Sequence, residues 1–279
     1  MDATRISDNK RVVLRKAATW KDELPIYHHF AQLPADNRNR LAPLLDIILL
    51  PDTDEDAFLV IPFLRVYYDP PFSRTDQAVQ CVSQFLEMLQ YFHEHNIAHR
   101  DFCSLNLMMD ASELLPGGHH FAESYCSPDG HYGLAFRDRI EVSPVKYFVI
   151  DLGLASQLPN RQSLVTGVFG QDKTVPELSW DIPYDPFLVD IYQFGRVIVE
   201  EFVDMYDGLE FLRPLAEMMV REDPQCRPDI TKVCEVFAGI VSKLPPTLLE
   251  QPVCVMDWEQ HKYRYARPPL PDRGFWQCC

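Results

Sequence analysis

The sequence predicts an α+β protein in which a short β-rich front gives way to a longer helical rear. Two patterns carry this: before residue 65, apolar clusters are separated by charged turns, and after residue 73 apolar residues recur at three- and four-residue steps. Length is the third observation, since 279 residues with 47% hydrophobic content suffice for one large or two small domains with a buried core.

Residues 11–17 read as a strand because Val12, Val13 and Leu14 are apolar and mostly β-branched. Residues 21–32 suit a short helix, interrupted near Pro25, whose ring removes a backbone donor. The apolar runs 41–50 and 57–64 flank Pro51-Asp52-Thr53-Asp54-Glu55-Asp56, a charged turn between two strands. Val79, Val82, Phe85, Leu86, Leu89 and Phe92 then form one apolar helical face. Leu188, Ile191, Phe194, Ile198 and Phe202 form a second, and Ile230, Val233, Phe237, Ile240 and Leu244 a third. Positions 111–145, rich in Gly, Pro, Ser and His, are too long for an ordinary connection and read as a flexible insertion loop. The chain thus divides into 1–64, 65–245 and a proline-rich, extended tail at 246–279.

Composition excludes several classes. A formal charge of −15 repels a phosphate backbone, so no nucleic-acid partner is expected; the excess reads first as a solubility feature. No run approaches the roughly 20 apolar residues of a membrane helix, and the start lacks the apolar stretch of a signal peptide. An intracellular chain, cytoplasmic or nuclear, is expected. The 8 cysteines lack zinc or disulfide spacing, so reduced thiols are expected. His119, His120, Cys126 and His131 match no standard metal pattern, and Cys278-Cys279 is not a prenylation signal.

Chemistry enters at Asn96-Ile97-Ala98-His99-Arg100-Asp101, followed by Asn106 and by Val149-Ile150-Asp151-Leu152-Gly153. Phosphoryl transfer needs a carboxylate to orient the attacking hydroxyl and oxygen ligands to hold Mg²⁺ on the phosphates. Further on come Val175-Pro176-Glu177, Asp190 in Asp190-Ile191-Tyr192-Gln193-Phe194-Gly195, and Arg227 in Asp223-Pro224-Gln225-Cys226-Arg227-Pro228, in the order protein kinases use. From about residue 41 to 244 the chain resembles the eukaryotic protein kinase family, and its shortened start is similar to kinase-like proteins of fungi.

That resemblance implies a bilobal protein-kinase-like fold: a truncated β-containing N-lobe, a hinge near Pro62-Phe63-Leu64 and a helical C-lobe. It implies ATP and Mg²⁺ in the cleft, with Asp101 as catalytic base and Asn106 and Asp151 on the metal. Phe63, Leu64 and Met108 would line the nucleotide site, and Lys16, rather than its neighbour Arg15, would hold the phosphates, with Glu23 as its partner. His99, Arg100, Gly153, Glu177, Asp190 and Arg227 would be structural or regulatory, Arg100 facing acceptors Ser163, Thr166 or Thr174. Gly153 would supply an unusual φ.

Departures from the family pattern matter as well. Cys103 stands where a lysine is usual, Leu152 where a phenylalanine is usual, and no G-x-G-x-x-G precedes residue 11. The expectation is an ATP-dependent kinase acting on a protein hydroxyl, serine or threonine before tyrosine; the alternative is a pseudokinase that binds or scaffolds. A small-molecule kinase fits less well, because Glu177 and Arg227 are elements such enzymes tend to lack.

Overall fold

A computed structural model describes residues 1–142 and 144–256. At the front, strands β1 (Asp2–Arg5), β2 (Lys10–Ala18), β3 (Asp46–Leu50) and β4 (Thr53–Pro62) form an antiparallel sheet in the order β1-β2-β4-β3, with helix α1 (Glu23–Gln32) between β2 and β3. The helix is not interrupted at Pro25. That residue lies in the first turn, where a backbone N–H has no intrahelical acceptor to lose.

Phe63 and Leu64 join β4 to β5 (Arg65–Val66) and so to the rear of the molecule. Helix α2 (Thr75–Glu94) follows the predicted apolar spacing, with Val82, Phe85, Leu89 and Phe92 fully buried. Strands β6 (Ile97–Ala98), β7 (Leu107–Met109), β8 (Tyr147–Val149) and β9 (Ser156–Gln157) pair as β5-β7-β8 and β6-β9. A two-stranded ribbon, β10 (Val165–Gly167) with β11 (Ser179–Tyr184), precedes α3 (Pro186–Ile198). Asp185 caps α3 by accepting from the Phe187 amide at 2.8 Å, and Pro186 sits where its missing N–H is harmless. The helix continues into a π turn over Val199–Val203.

The chain ends its described part with β12 (Tyr206–Asp207), α4 (Arg213–Met219), α5 (Ile230–Val241), α6 (Pro246–Leu249) and β13 (Cys254–Val255). One apolar core joins α2, α3, α4 and α5 to the rear strands and reaches Ile26, Tyr27 and Phe30 of α1. Such a continuous core is what fixes the front sheet over the segment that follows β6.

Two expectations need correction. The 111–142 segment is packed rather than flexible: Leu114, Leu115 and Cys126 are buried, and buried Arg139 donates to the Tyr147 hydroxyl at 2.8 Å and to the carbonyls of Tyr67 at 2.8 Å and Pro70 at 2.6 Å. A guanidinium with several acceptors can anchor a polar loop that has few apolar residues of its own. Nor is residue 245 followed simply by extended chain, since α6 folds there and β13 pairs with β12. Cys278-Cys279 lies outside the described residues. No described helix is long and apolar enough to cross a membrane.

Candidate active site

Asp190, wholly buried in α3, organises the segment after β6. Its Oδ2 accepts the His99 amide at 2.9 Å and its Oδ1 the Arg100 amide at 2.6 Å, while His93 Nε2 lies 2.9 Å from Oδ2. Burial pushes the His93 pKa down against the pull of Asp190, so a neutral ring donating from Nε2 fits the site. Gln193, one turn on, accepts the Phe102 amide at 2.9 Å. Three amide bonds to one helix therefore set the backbone that carries Asp101.

His99 completes the frame. Its Nε2 donates to the Ile150 carbonyl at 3.0 Å and its Nδ1 accepts the Asp101 amide at 3.3 Å, which ties the two motif segments together. Arg100 and Asp151 both adopt left-handed backbone, with φ of 63° and 64°. Non-glycine residues hold that conformation only where surroundings enforce it. The left-handed position expected at Gly153 is thus at Asp151. What Gly153 supplies is space: a Cβ there would lie 2.8 Å from Arg15 Nη2 and 2.9 Å from Asp151 Oδ1.

Asp101 is almost buried, and both its oxygens have donors. Oδ1 accepts the Gln171 amide at 2.7 Å, and Oδ2 accepts Asn106 Nδ2 at 3.1 Å. Asn106 Nδ2 also donates to the Asp101 carbonyl at 2.8 Å, which leaves the amide oxygen as that side chain's remaining donor to a cation. Gly170, with φ of 86°, lets the connection between β10 and β11 close on this carboxylate, since a Cβ would meet the Arg100 carbonyl at 3.0 Å. Cys103 lies beside them, and burial followed by the Asp101 charge pushes its thiol up to about 12. It is a protonated, apolar neighbour at neutral pH.

Across the cleft the structure places Arg15, not Lys16. Adjacent strand residues point to opposite faces, and here Arg15 bridges Glu23 of α1 and Asp151 with its two terminal nitrogens. Lys16 points outward, 59% exposed, to Asp56 at 2.8 Å. Ala17, two residues on and buried, shares the inward face of Arg15, whereas Lys16 stands on the opposite one.

At the hinge, Phe63 is sandwiched between the Arg11 guanidinium, 3.9 Å from its ring centre, and the His119 ring at 4.6 Å. Arg11 also donates to the His119 carbonyl. Leu64 and Met108 lie at the same junction, Met108 being paired with Val66 and Phe148. Among the described residues no cluster of three or more His, Cys, Asp or Glu could hold a metal. Arg100 bonds Ser156 Oγ at 3.1 Å and the Thr166 carbonyl at 3.3 Å, next to one of the expected acceptor residues. Glu177 and Arg227 form a two-pronged ion pair at 2.5 and 2.9 Å.

No family model matches the sequence, and no curated protein matches it either. Among solved structures, the chain is similar to the Rad53 kinase domain, described with SCD2 in complex with AMPPNP. The likeness covers 88% of this chain and 87% of that one, with a TM-score of 0.52 and 16% identity.

The fold is kinase-like.

At that identity the likeness concerns architecture alone, and the kinase-like fold accounts for the order of sheet, hinge and helices found here. Asn106 bonds Asp101 and Arg15 bonds Asp151, whereas Lys16 turns away to Asp56.

Proposed function

We propose that this protein is an ATP-dependent phosphotransferase acting on a protein hydroxyl, serine or threonine in preference to tyrosine. The observation that carries the reading is the convergence of Asp101, Asn106 and Asp151 with the Arg15–Glu23 pair. A strand cation paired to a helix glutamate is the arrangement that positions nucleotide phosphates in kinases. The nucleotide-bound state of the Rad53 kinase domain supports ATP as the ligand.

Asp101 would accept the hydroxyl proton once Gln171 withdraws its amide, and Asn106 would hold Asp101 in register. Arg15 would face the phosphates with a planar, permanently charged fork in place of a lysine ammonium. The amide oxygen of Asn106 and a carboxylate oxygen of Asp151 form a hard donor pair that suits Mg²⁺ when phosphates supply further ligands. Bound Mg²⁺ would neutralise charge developing on the phosphoryl oxygens. Phe63, Leu64 and Met108 would flank the base.

A second reading, a pseudokinase that binds or scaffolds, is favoured by two observations. Both Asp101 oxygens are already engaged, and Asp151 is tied to Arg15. Calorimetric titration with ATP, with and without Mg²⁺, separates the two readings. Under the first, wild type binds only with Mg²⁺, Asp151→Asn loses that dependence, and Asp101→Asn binds ATP but transfers no phosphate. Equal transfer by wild type and Asp101→Asn would remove Asp101 from its role.

A further inference from the structure

Strand β3 is an outer edge of the front sheet, and its central residues Ile47, Ile48 and Leu49 are 41%, 43% and 75% exposed. Its hydrogen-bonding direction follows from the other side of the sheet. The Met1 amine donates to the Leu14 carbonyl at 3.0 Å and the Leu14 amide to the Met1 carbonyl at 2.7 Å, so the Leu14 backbone faces β1. Backbone direction alternates along an antiparallel strand, so Val13, Arg15 and Ala17 face β4. Their partners Ile61, Leu59 and Ala57 then face β2, which leaves Val60 and Phe58 facing Asp46 and Ile48 of β3. Ile47 and Leu49 must therefore turn their backbone groups outward. The Ile47 amide agrees, donating to Asp46 Oδ1 at 2.8 Å instead of to a strand. The Leu49 N–H and C=O and the Ile47 C=O therefore point away from β4, and among the described residues no backbone group outside the strand ladders bonds them.

Long, apolar, unpaired edges are templates for another strand. Charge says which strand. No lysine or arginine lies between Arg40 and Arg65, while Asp46, Asp52, Asp54, Glu55 and Asp56 all do. Of these Asp56 is paired with Lys16. A second copy of this chain, edge to edge, would bring the same carboxylates against one another, and like charges facing each other across strands destabilise the pair.

We propose that β3 is a docking edge for an extended segment of another protein in which lysine or arginine alternates with aliphatic residues, added as a fifth strand. Main-chain bonds to Leu49 and Ile47 would give affinity, and the carboxylates of the β3–β4 turn would select the basic partner. The inference does not depend on phosphoryl transfer.

The test uses the full chain and a dye-labelled, blocked peptide of sequence Lys-Val-Lys-Ile-Lys-Val-Lys-Val, read by anisotropy and amide exchange. Saturable binding is expected, weakened at least tenfold by Leu49→Lys and by the combined change Asp52→Asn, Asp54→Asn and Glu55→Gln. The Leu49 amide should slow its exchange on binding while that of Ile48, already facing β4, does not change. A peptide with glutamate in place of lysine should not bind. Three results would overturn the proposal: no binding by the folded chain, binding that Leu49→Lys leaves untouched, or an edge protected by self-association in sedimentation velocity.

Discussion

Arg15 ties the front sheet to its surroundings, because its two nitrogens meet Glu23 from α1 and Asp151 from the loop after β8. Removing it leaves Glu23, itself 3% exposed at the side chain, without its counter-charge and frees Asp151 from one of its two donors. Under the proposed function, Arg15→Ala should lower Mg²⁺-dependent ATP affinity at least tenfold, about 1.4 kcal/mol, while Lys16→Ala changes it less than about twofold. Arg15→Lys should fall between, since an ammonium cannot bridge both carboxylates with a planar fork. Isothermal titration of the three variants decides the matter; a larger loss with Lys16→Ala would return the role to the lysine. At this scale the sequence was legible where a residue's neighbours in the chain fix it, as in His99 to Asp101. It was ambiguous at Arg15 and Lys16, where one step of strand phase exchanges cleft for solvent.

Among the elements, the junction of β11, α3 and the segment before α5 depends on the Glu177–Arg227 pair. The Arg227 side chain has no exposure and also donates to the carbonyls of Arg221 at 2.7 Å, Leu188 at 3.1 Å and Glu222 at 3.2 Å. Losing one member of a buried pair costs about 3 to 5 kcal/mol, because the other is left charged in a poor solvent. Glu177→Ala should therefore lower the urea midpoint with an unchanged slope, by an amount near the lower end, since three carbonyls still receive the guanidinium. A shift under about 1 kcal/mol would mean that those carbonyls satisfy Arg227 alone. Helices α2, α3 and α5 were visible in the sequence because an apolar face with a 3.6-residue period leaves a trace in composition. Strand β1 and the β10–β11 ribbon were not. Their residues are largely exposed, so no burial pattern marks them, and their pairing is made by backbone groups that every sequence shares.

For the whole molecule, the telling contact is the one the 111–142 segment makes with the front sheet. His119, nearly buried, stacks on Phe63 while its carbonyl takes a donor from Arg11 of β2, so the 111–142 segment clasps both β2 and the link from β4 to β5. Burial, then the Arg65 and Arg11 charges, push the His119 pKa down to about 4. The folded state therefore refuses a proton that the unfolded chain accepts near its ordinary value of 6.5. Stability from this group is complete above pH 6.5 and is lost progressively as pH falls toward about 4. His93 shifts the same way and contributes its own acid loss, so wild type alone cannot isolate the clasp. His119→Phe keeps a ring against Phe63 but has nothing to protonate. Between pH 7 and pH 4.5 its midpoint in urea should fall distinctly less than that of wild type, and the difference between the two should vanish above pH 7 apart from a constant offset. Equal losses in both proteins would show that His119 titrates normally and that the 111–142 segment does not hold the front sheet through a desolvated ring.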